Sequence, residues 1–242
     1  MLRIMPLRCF ACCVSSGRPG NVVRVRHQFG PVTWIVPPHD VDAYKEAGAI
    51  YVEPLGSSVN CAVARNGALE LAFSHDAPCL MLDDDPTGKM EWVNVLTKQR
   101  QPLDLKGLIN GLCGALDKHL DAHLIACTHI TNAMFVMKEV SLKSTINGGV
   151  LLVLPNPLRF DETLPLNSDV DYGLQHYNKY GLAVRLNNHF VHFKRGNKDE
   201  SGVGAYRTQA LREKTVRRLM KKWPQWVSYK TSDPAHPVVR IR

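Results

Sequence analysis

Along the first third of the chain, short apolar runs bounded by Gly, Pro and polar turns alternate with stretches whose apolar residues recur at helical spacing. Residues 8–14 (Arg-Cys-Phe-Ala-Cys-Cys-Val) predict a first buried strand, followed by Ser15-Ser16-Gly17-Arg18-Pro19-Gly20-Asn21, a turn of small residues carrying one cation. A helix is predicted from Val22 to Gln28, and a second strand, Val32 to Val36, stops at Pro37-Pro38. Asp40 suits the N-cap of a helix running to Ala47, which Gly48 ends, and Ile50-Tyr51-Val52 predicts a third strand. Val59 to Phe73 carries apolar residues at 59, 62 or 63, 69 and 73, the spacing of a helix. Pro78 to Leu82 is an unbroken apolar run, as in a parallel strand buried on both faces. Strand, helix, strand with short connectors is a parallel βαβ layout.

The second half is less regular. Lys89 to Leu103 is polar and predicts a connector, while Leu105 to Leu120 shows a helical stripe at 105, 108, 109, 112, 116 and 120. Ala122 to Thr128, Ala133 to Val140 and Val150 to Leu154 predict strands, the last closed by Pro155 and Pro157. Asn167 opens a helix running to Tyr180, with Ser168 or Asp169 as its cap. Gly181 to Leu186 predicts a last strand, leading into Asn187-Asn188-His189-Phe190-Val191-His192-Phe193. In the tail, Leu211, Thr215, Leu219 and Trp223 share a helical stripe, basic residues cover the rest, and Pro224 ends the helix.

At 242 residues the chain can bury one large core, and a single α/β domain accounts for it. No apolar stretch is long enough to span a bilayer. Arg3 and Arg8 ahead of apolar residues hint at a signal peptide, but Pro6 and Arg8 break the run, so the segment is assigned to the first strand. Seven cysteines, three of them crowded at Cys9, Cys12 and Cys13, predict reduced thiols in a cytoplasm. The Cys9/Cys12 spacing lacks a second ligand pair for zinc. The net charge of +8 sits in the tail: from Arg207 onward there are ten Lys/Arg against two Asp/Glu. A basic helix followed by Trp226 and Tyr229 suits a nucleic-acid backbone, an anionic membrane surface or no partner.

The chemistry concentrates at Leu82-Asp83-Asp84-Asp85-Pro86-Thr87-Gly88. Three adjacent carboxylates raise one another's pKa unless a cation sits among them. At the carboxyl end of a strand, where open α/β sheets bind ligands, they suit a hard divalent ion that also holds phosphates. A solvated acidic turn is the plainer alternative. The loop holding Ser16 and Arg18 lets backbone N–H groups and a guanidinium approach a phosphate. Arg65 lies in a helix near the strand ends and reaches toward a nucleotide, or is one charge on a surface helix.

Ser16-Gly17-Arg18-Pro19, Ala64-Arg65-Asn66 and Leu82-Asp83-Asp84-Asp85, in that order, resemble the donor half of a GT-A glycosyltransferase. With Trp34-Ile35-Val36-Pro37, Ala43-Tyr44, Ala47-Gly48-Ala49 and Pro78-Cys79-Leu80, the chain is similar, over about residues 14–205, to the TET-associated glycosyltransferases. That family is mostly phage-encoded and is implied to add sugars to hydroxymethylated bases in DNA. The resemblance implies a GT-A-like, Rossmann-like α/β fold, a mixed sheet flanked by helices, over 1–206. Its donor half would span about 8–90 and its acceptor half about 91–206, with a basic helical C-terminal extension over 207–242. It implies a nucleotide diphosphate sugar, UDP-linked, contacted by Ser16, Arg18, Arg65, Asp83 and Asp84. Mn²⁺ or Mg²⁺ would be held by Asp83, Asp85 and His192, with His189 as the second choice. Asp169 would be the base that deprotonates the acceptor hydroxyl, with inversion, although Ser168 stands where an acid is common in such enzymes. The charged, Gly-rich stretch from Lys194 to Gly204 would close over the donor.

The implied partner is DNA carrying a hydroxymethylated pyrimidine, foremost 5-hydroxymethylcytosine, with no membrane and no obligate protein partner. The implied place is the cytoplasm, that of the host if the gene is viral. Two other readings stand beside this one: a nucleotidyltransferase, which would release pyrophosphate, and a non-catalytic DNA-binding module. A pure binder gains nothing from buried like charges, so the acids and Asp169 together argue against the latter.

Overall fold

The computed structural model describes residues 9–194, 207–230 and 233–241. Strands β1 (Phe10–Val14), β2 (Thr33–Ile35), β3 (Tyr51–Glu53) and β4 (Cys79–Asp83) alternate with helices α1 (Val22–Phe29), α2 (Val41–Glu46) and α3 (Cys61–Ser74). β1 pairs in parallel with β2 and β4, and β2 with β3, so the βαβ expectation holds. Then follow β5 (Pro86–Val93), β6 (Arg100–Pro102), α4 (Leu105–Lys118), β7 (Leu124–Thr128), β8 (Val140–Ser141) and β9 (Val150–Val153). The chain continues through α5 (Ser168–Tyr180), β10 (Val184–Phe193), α6 (Gln209–Lys222), β11 (Val227–Lys230) and β12 (Asp233–Val239). One mixed sheet of ten strands runs β3-β2-β1-β4-β9-β7-β10-β5-β6, with β8 on β10; β11 and β12 form a separate hairpin.

Helices cover both faces of the sheet, as expected for this α/β class. β4 shows the physical reason in one strand: alternate side chains point to opposite faces, and all of them must be apolar. Leu80 and Leu82 join Val25, Phe29, Tyr44, Leu108 and Leu112 beneath α1, α2 and α4. Cys79 and Met81 join Ala68, Leu69, Ala72 and Tyr172 beneath α3 and α5. A third, smaller cluster docks α6 and the β11–β12 hairpin on α5 through Leu174, Leu219, Trp223 and Val227.

The structure departs from the sequence expectations in several places. Residues 89–103 form no simple connector: they contain most of the β5–β6 hairpin, whose polar composition hid a strand that pairs with distant β10. Ala133 to Val140 is not a strand. Ala133 and Val136 point inward, a spacing of three, and build a 3₁₀ turn over Ala133–Phe135, leaving only the two-residue β8 extended. Asp40 does not cap α2 with its side chain; that carboxylate instead accepts from Gly17 N at 2.7 Å. At α5 neither Ser168 nor Asp169 is the cap. Asn167 holds that place in a left-handed conformation (φ 55°) without a side-chain cap bond. The β11–β12 hairpin follows the predicted tail helix, masked in the sequence by Pro234 and Pro237. All seven cysteines are free thiols. Among the described residues no helix is long and apolar enough to cross a membrane. The stretch 195–204, expected to close over a donor, lies outside the described residues.

Candidate active site

The topology brings four chain segments to one edge of the sheet. β1 and β4 are parallel and in register, Val14 opposite Asp83, so the loop after β1 falls beside the acids that end β4. Antiparallel β9 starts at the same edge, where Gly149 O accepts from Asp83 N at 3.0 Å. The end of β10 arrives through Phe193 opposite Pro86, and Lys194 N donates to Asp85 O at 2.9 Å. These segments line a cleft of about 1550 Å³ that holds Arg18, Arg65, Asp83, Asp84, Asp85, Asp169 and His192.

The three acids, adjacent in sequence, have three different environments. Asp84 is only 2 % exposed. It accepts from Ser15 Oγ and pairs with Arg18 Nη2 at 3.0 Å. Ser15 Oγ also bonds Tyr44 OH, which accepts from Arg18 N at 3.1 Å, so Asp84 anchors the whole Ser15–Arg18 loop. Burial pushes the Asp84 carboxyl up to about 7, Arg18 and Ser15 pull it back, and Asp85 and Asp83 push it further. The ion pair and the raised pKa pull in opposite directions; at this depth desolvation outweighs one partly exposed guanidinium. Asp83 and Asp85 instead face the cleft, their side chains 36 % and 18 % exposed. Asp83 pairs with Arg65 Nη2 at 3.5 Å and Asp85 with Arg18 Nη1 at 3.6 Å.

Arg65 is buried with its guanidinium over the Phe160 ring, 5.4 Å from the centroid. Gly148 closes over it so tightly that a Cβ there would stand 1.9 Å from Arg65 Nη2. Neighbouring Asn66 holds the wall behind it, giving Nδ2 to Phe160 O (3.0 Å) and accepting from Phe160 N (2.8 Å). Burial pulls the Arg65 pKa down, but Cys61, Asp83 and Asp169 carry it above its ordinary value. Arg65 therefore interacts electrostatically with both the β4 acids and Asp169.

Asp169 accepts from Gly148 N at 2.9 Å and from Val170 N at 2.9 Å, which holds its carboxylate at the cleft wall. Asp171, two residues on, turns the other way: fully buried, it accepts from Trp223 Nε1 at 2.8 Å and pairs with Lys222 at 2.9 Å.

His192 lines the cleft, but its Nε2 lies 2.7 Å from Glu91 Oε2. Burial alone would push the Glu91 carboxyl up; bonds from Lys89, His192 and Arg100 hold it below its ordinary value. His189 faces the opposite side, its ring packed where a Cβ on Gly111 of α4 would stand 2.2 Å from Nε2. Burial pulls its imidazole down to about 4. Ser16 is half-buried and is not among the described residues lining the cleft; Ser15 supplies the structural hydroxyl.

Among the described residues no three His, Cys, Asp or Glu side chains converge to hold a metal ion by themselves. The donor set that does face the cleft, the Asp83 and Asp85 carboxylates, fits an ion of the Mg²⁺ type. Such an ion keeps one or two protein carboxylates and completes its shell with substrate phosphates and water. His192, engaged by Glu91, does not join that set in this arrangement.

Sequence reading missed Tyr44 and Ser15 as a relay to Asp84, Glu91 as the partner of His192, and Gly148 as the roof over Arg65. Each becomes visible only when strands distant in sequence meet. No family model matches the chain, no curated protein matches it, and no solved structure matches it.

Proposed function

We propose that the protein is a glycosyltransferase with a GT-A-like donor half, moving a sugar from a nucleoside diphosphate to a hydroxymethylated pyrimidine in DNA. One observation carries the reading: a single cleft holds two cleft-facing carboxylates, two arginines and, across Gly148, a separate positioned carboxylate. Arg18 and Arg65 supply positive charge for a diphosphate. Asp83 and Asp85 would hold Mn²⁺ or Mg²⁺ jointly with the donor phosphates; when bound, the ion neutralises charge on the departing diphosphate. Asp84 stays beneath them and fixes the Arg18 loop. Asp169 accepts the proton of the attacking hydroxyl, and its bonds to Gly148 N and Val170 N keep it aimed. The free thiols support a reducing compartment, the cytoplasm. The basic α6 supports a nucleic-acid acceptor.

The experiment is direct. DNA containing 5-hydroxymethylcytosine is incubated with the protein and a panel of nucleotide sugars, with and without chelator, and the digested nucleosides are weighed. A mass increase of one hexose, lost on chelation, is expected, with nucleoside diphosphate as co-product. Release of pyrophosphate, or unmodified nucleosides with every donor, overturns the reading.

A further inference from the structure

A second, smaller hollow of about 110 Å³ adjoins the cleft, and the two share Ile130 and Phe135. We propose that this hollow is an acceptor-base pocket: it takes one planar heterocycle of pyrimidine size, its acceptor edge toward Arg185 and Ser141 and its ring face on Phe135. The proposal rests on the glycosyl-transfer reading and adds to it the residues that hold the acceptor.

The floor is a built set of donors. β10 and β8 pair antiparallel with Arg185 opposite Ser141, which sets their side chains next to each other. Asn187, two residues further along β10, ties them together. Its Oδ1 accepts from Arg185 Nε at 2.9 Å, and its Nδ2 donates to Ser141 Oγ at 2.8 Å and to Lys138 O at 3.1 Å. Arg185 Nη1 is spent on Thr145 O at 3.1 Å. These bonds orient the floor and leave two donors, Arg185 Nη2 and the Ser141 hydroxyl, without an acceptor among the described residues. Two neighbouring donors call for a ligand with two neighbouring acceptors, such as O2 and N3 of cytosine.

Ile130, Phe135, Val136 and Met137 form an apolar wall, and Thr128 and Lys138 complete the lining. A bare phosphate or carboxylate would satisfy the donors but would leave Ile130, Phe135, Val136 and Met137 without an apolar partner. A flat ring with a polar edge satisfies both halves of the pocket. Phe135 is 69 % exposed although its turn is anchored on both sides. Ala133 and Val136 are buried against Val93 and Phe190, Arg100 Nη2 donates to Thr131 O at 3.1 Å, and Lys98 Nζ donates to Val136 O at 2.5 Å. An anchored turn that presents an uncovered aromatic at a cleft rim is a stacking platform. The exposed Lys138 beside it can meet a flanking phosphate. One segment, 145–148, joins pocket and base: Thr145 O fixes Arg185, and Gly148 N fixes Asp169. A base inside a duplex reaches such a pocket only by leaving the stack.

The test needs neither donor nor turnover. Binding of 5-hydroxymethyl-2′-deoxycytidine 5′-monophosphate, and of 2-deoxyribose 5-phosphate as the base-free control, is titrated by NMR. The proteins are the parent, Phe135→Ala, Phe135→Trp and Ser141→Ala, each first checked by thermal melting. Stacking contributes about 1–3 kcal/mol per base, so Phe135→Ala should weaken nucleotide binding roughly 5- to 150-fold. Phe135→Trp should retain it, Ser141→Ala should weaken it, and the base-free control should bind far less tightly than the nucleotide. Equal binding of nucleotide and control, or nucleotide affinity unmoved by Phe135→Ala and Ser141→Ala, overturns the pocket. If the nucleotide binds through these residues but no sugar is ever transferred, the transferase reading falls and the pocket stands. If sugar is transferred and these variants match the parent in affinity and in KM for DNA, the pocket falls alone.

Discussion

A Cβ on Gly148 would stand 1.9 Å from Arg65 Nη2, closer than any non-bonded pair tolerates, so Gly148→Ala must move the guanidinium or the loop. Since the same residue's N–H holds Asp169, the substitution should weaken donor binding and transfer together. Isothermal titration with nucleoside diphosphate should show at least about a tenfold loss, the equivalent of 1.4 kcal/mol and one good charge-assisted hydrogen bond; an unchanged dissociation constant would separate Arg65 from the donor. Asp169→Asn keeps the bulk and an oxygen to accept from Gly148 N but loses the proton acceptor. Transfer should fall about 100- to 10,000-fold with donor affinity intact, measured by single-turnover kinetics. A loss below tenfold would leave Asp169 as a tether for Gly148. At this scale Arg65, inside α3, was singled out only by the resemblance, whereas Arg18 and the acid triplet were legible, because a turn and a strand end mark them locally. Their different roles were not. Asp84 is buried and Asp83 exposed because of what β1, α2 and β9 place around them.

The α5–α6 pair shows what an element-level pattern misses. Of the stripe Leu211, Thr215, Leu219 and Trp223, the last three pack inward as the spacing predicts, while Leu211, in the first turn, is half-buried. The basic face, however, is not uniformly solvent-facing. Lys222 is 2.7 Å from Asp161 and 2.9 Å from buried Asp171, and Arg218 donates to Thr163 O. Lys222→Ala takes one partner from the fully buried Asp171 carboxyl, so unfolding stability should drop on the order of 1–3 kcal/mol. Lys221→Ala, one residue away and exposed, should stay within about 0.5 kcal/mol of the parent; urea midpoints compare the two. Also on α5, His176 is fully buried, edge-on to Tyr172 and tilted against Tyr180, and neither ring nitrogen has a partner among the described residues. Burial, then His123 and Lys179, pull its imidazole from 6.5 down to about 3. The unfolded chain takes up that proton first as pH falls. The stability His176 contributes is therefore complete above pH 6.5 and is lost progressively from 6.5 toward 3. His176→Phe should flatten that acid limb, read as a smaller stability difference between pH 7 and pH 4 than the parent shows.

At the scale of the whole molecule the charge is lopsided: net +8, equal to the balance from Arg207 onward. With Lys222 and Arg218 engaged in docking, the outward positions are Lys214, Arg217 and Lys221, although Arg217 also lies 3.6 Å from Glu213. If they neutralise phosphates, reversing all three to Glu should shallow the slope of log affinity against log salt by about 0.9 for each phosphate no longer neutralised. Titrations of duplex DNA across a salt series measure it, and an unchanged slope would move the DNA platform elsewhere. The sequence by itself determined the parts that depend on neighbours along the chain: the βαβ start, the apolar runs of β1, β2, β4, β7 and β9, the stripe of α6, the stripe of α4 short of Leu120, which lies past the helix end and is exposed, and acids at a strand end. Those follow from periodicity, which needs no partner to be read. Only the tertiary structure decided the rest. The β5–β6 hairpin and the Ala133–Phe135 turn take their form from β10, remote in sequence. The site takes its form from parallel β1 and β4 ending together, with β9 and β10 meeting them there. Long-range pairing carries no local signature, so Tyr44, Glu91, Gly148 and Arg185 acquire their roles only once the sheet has closed.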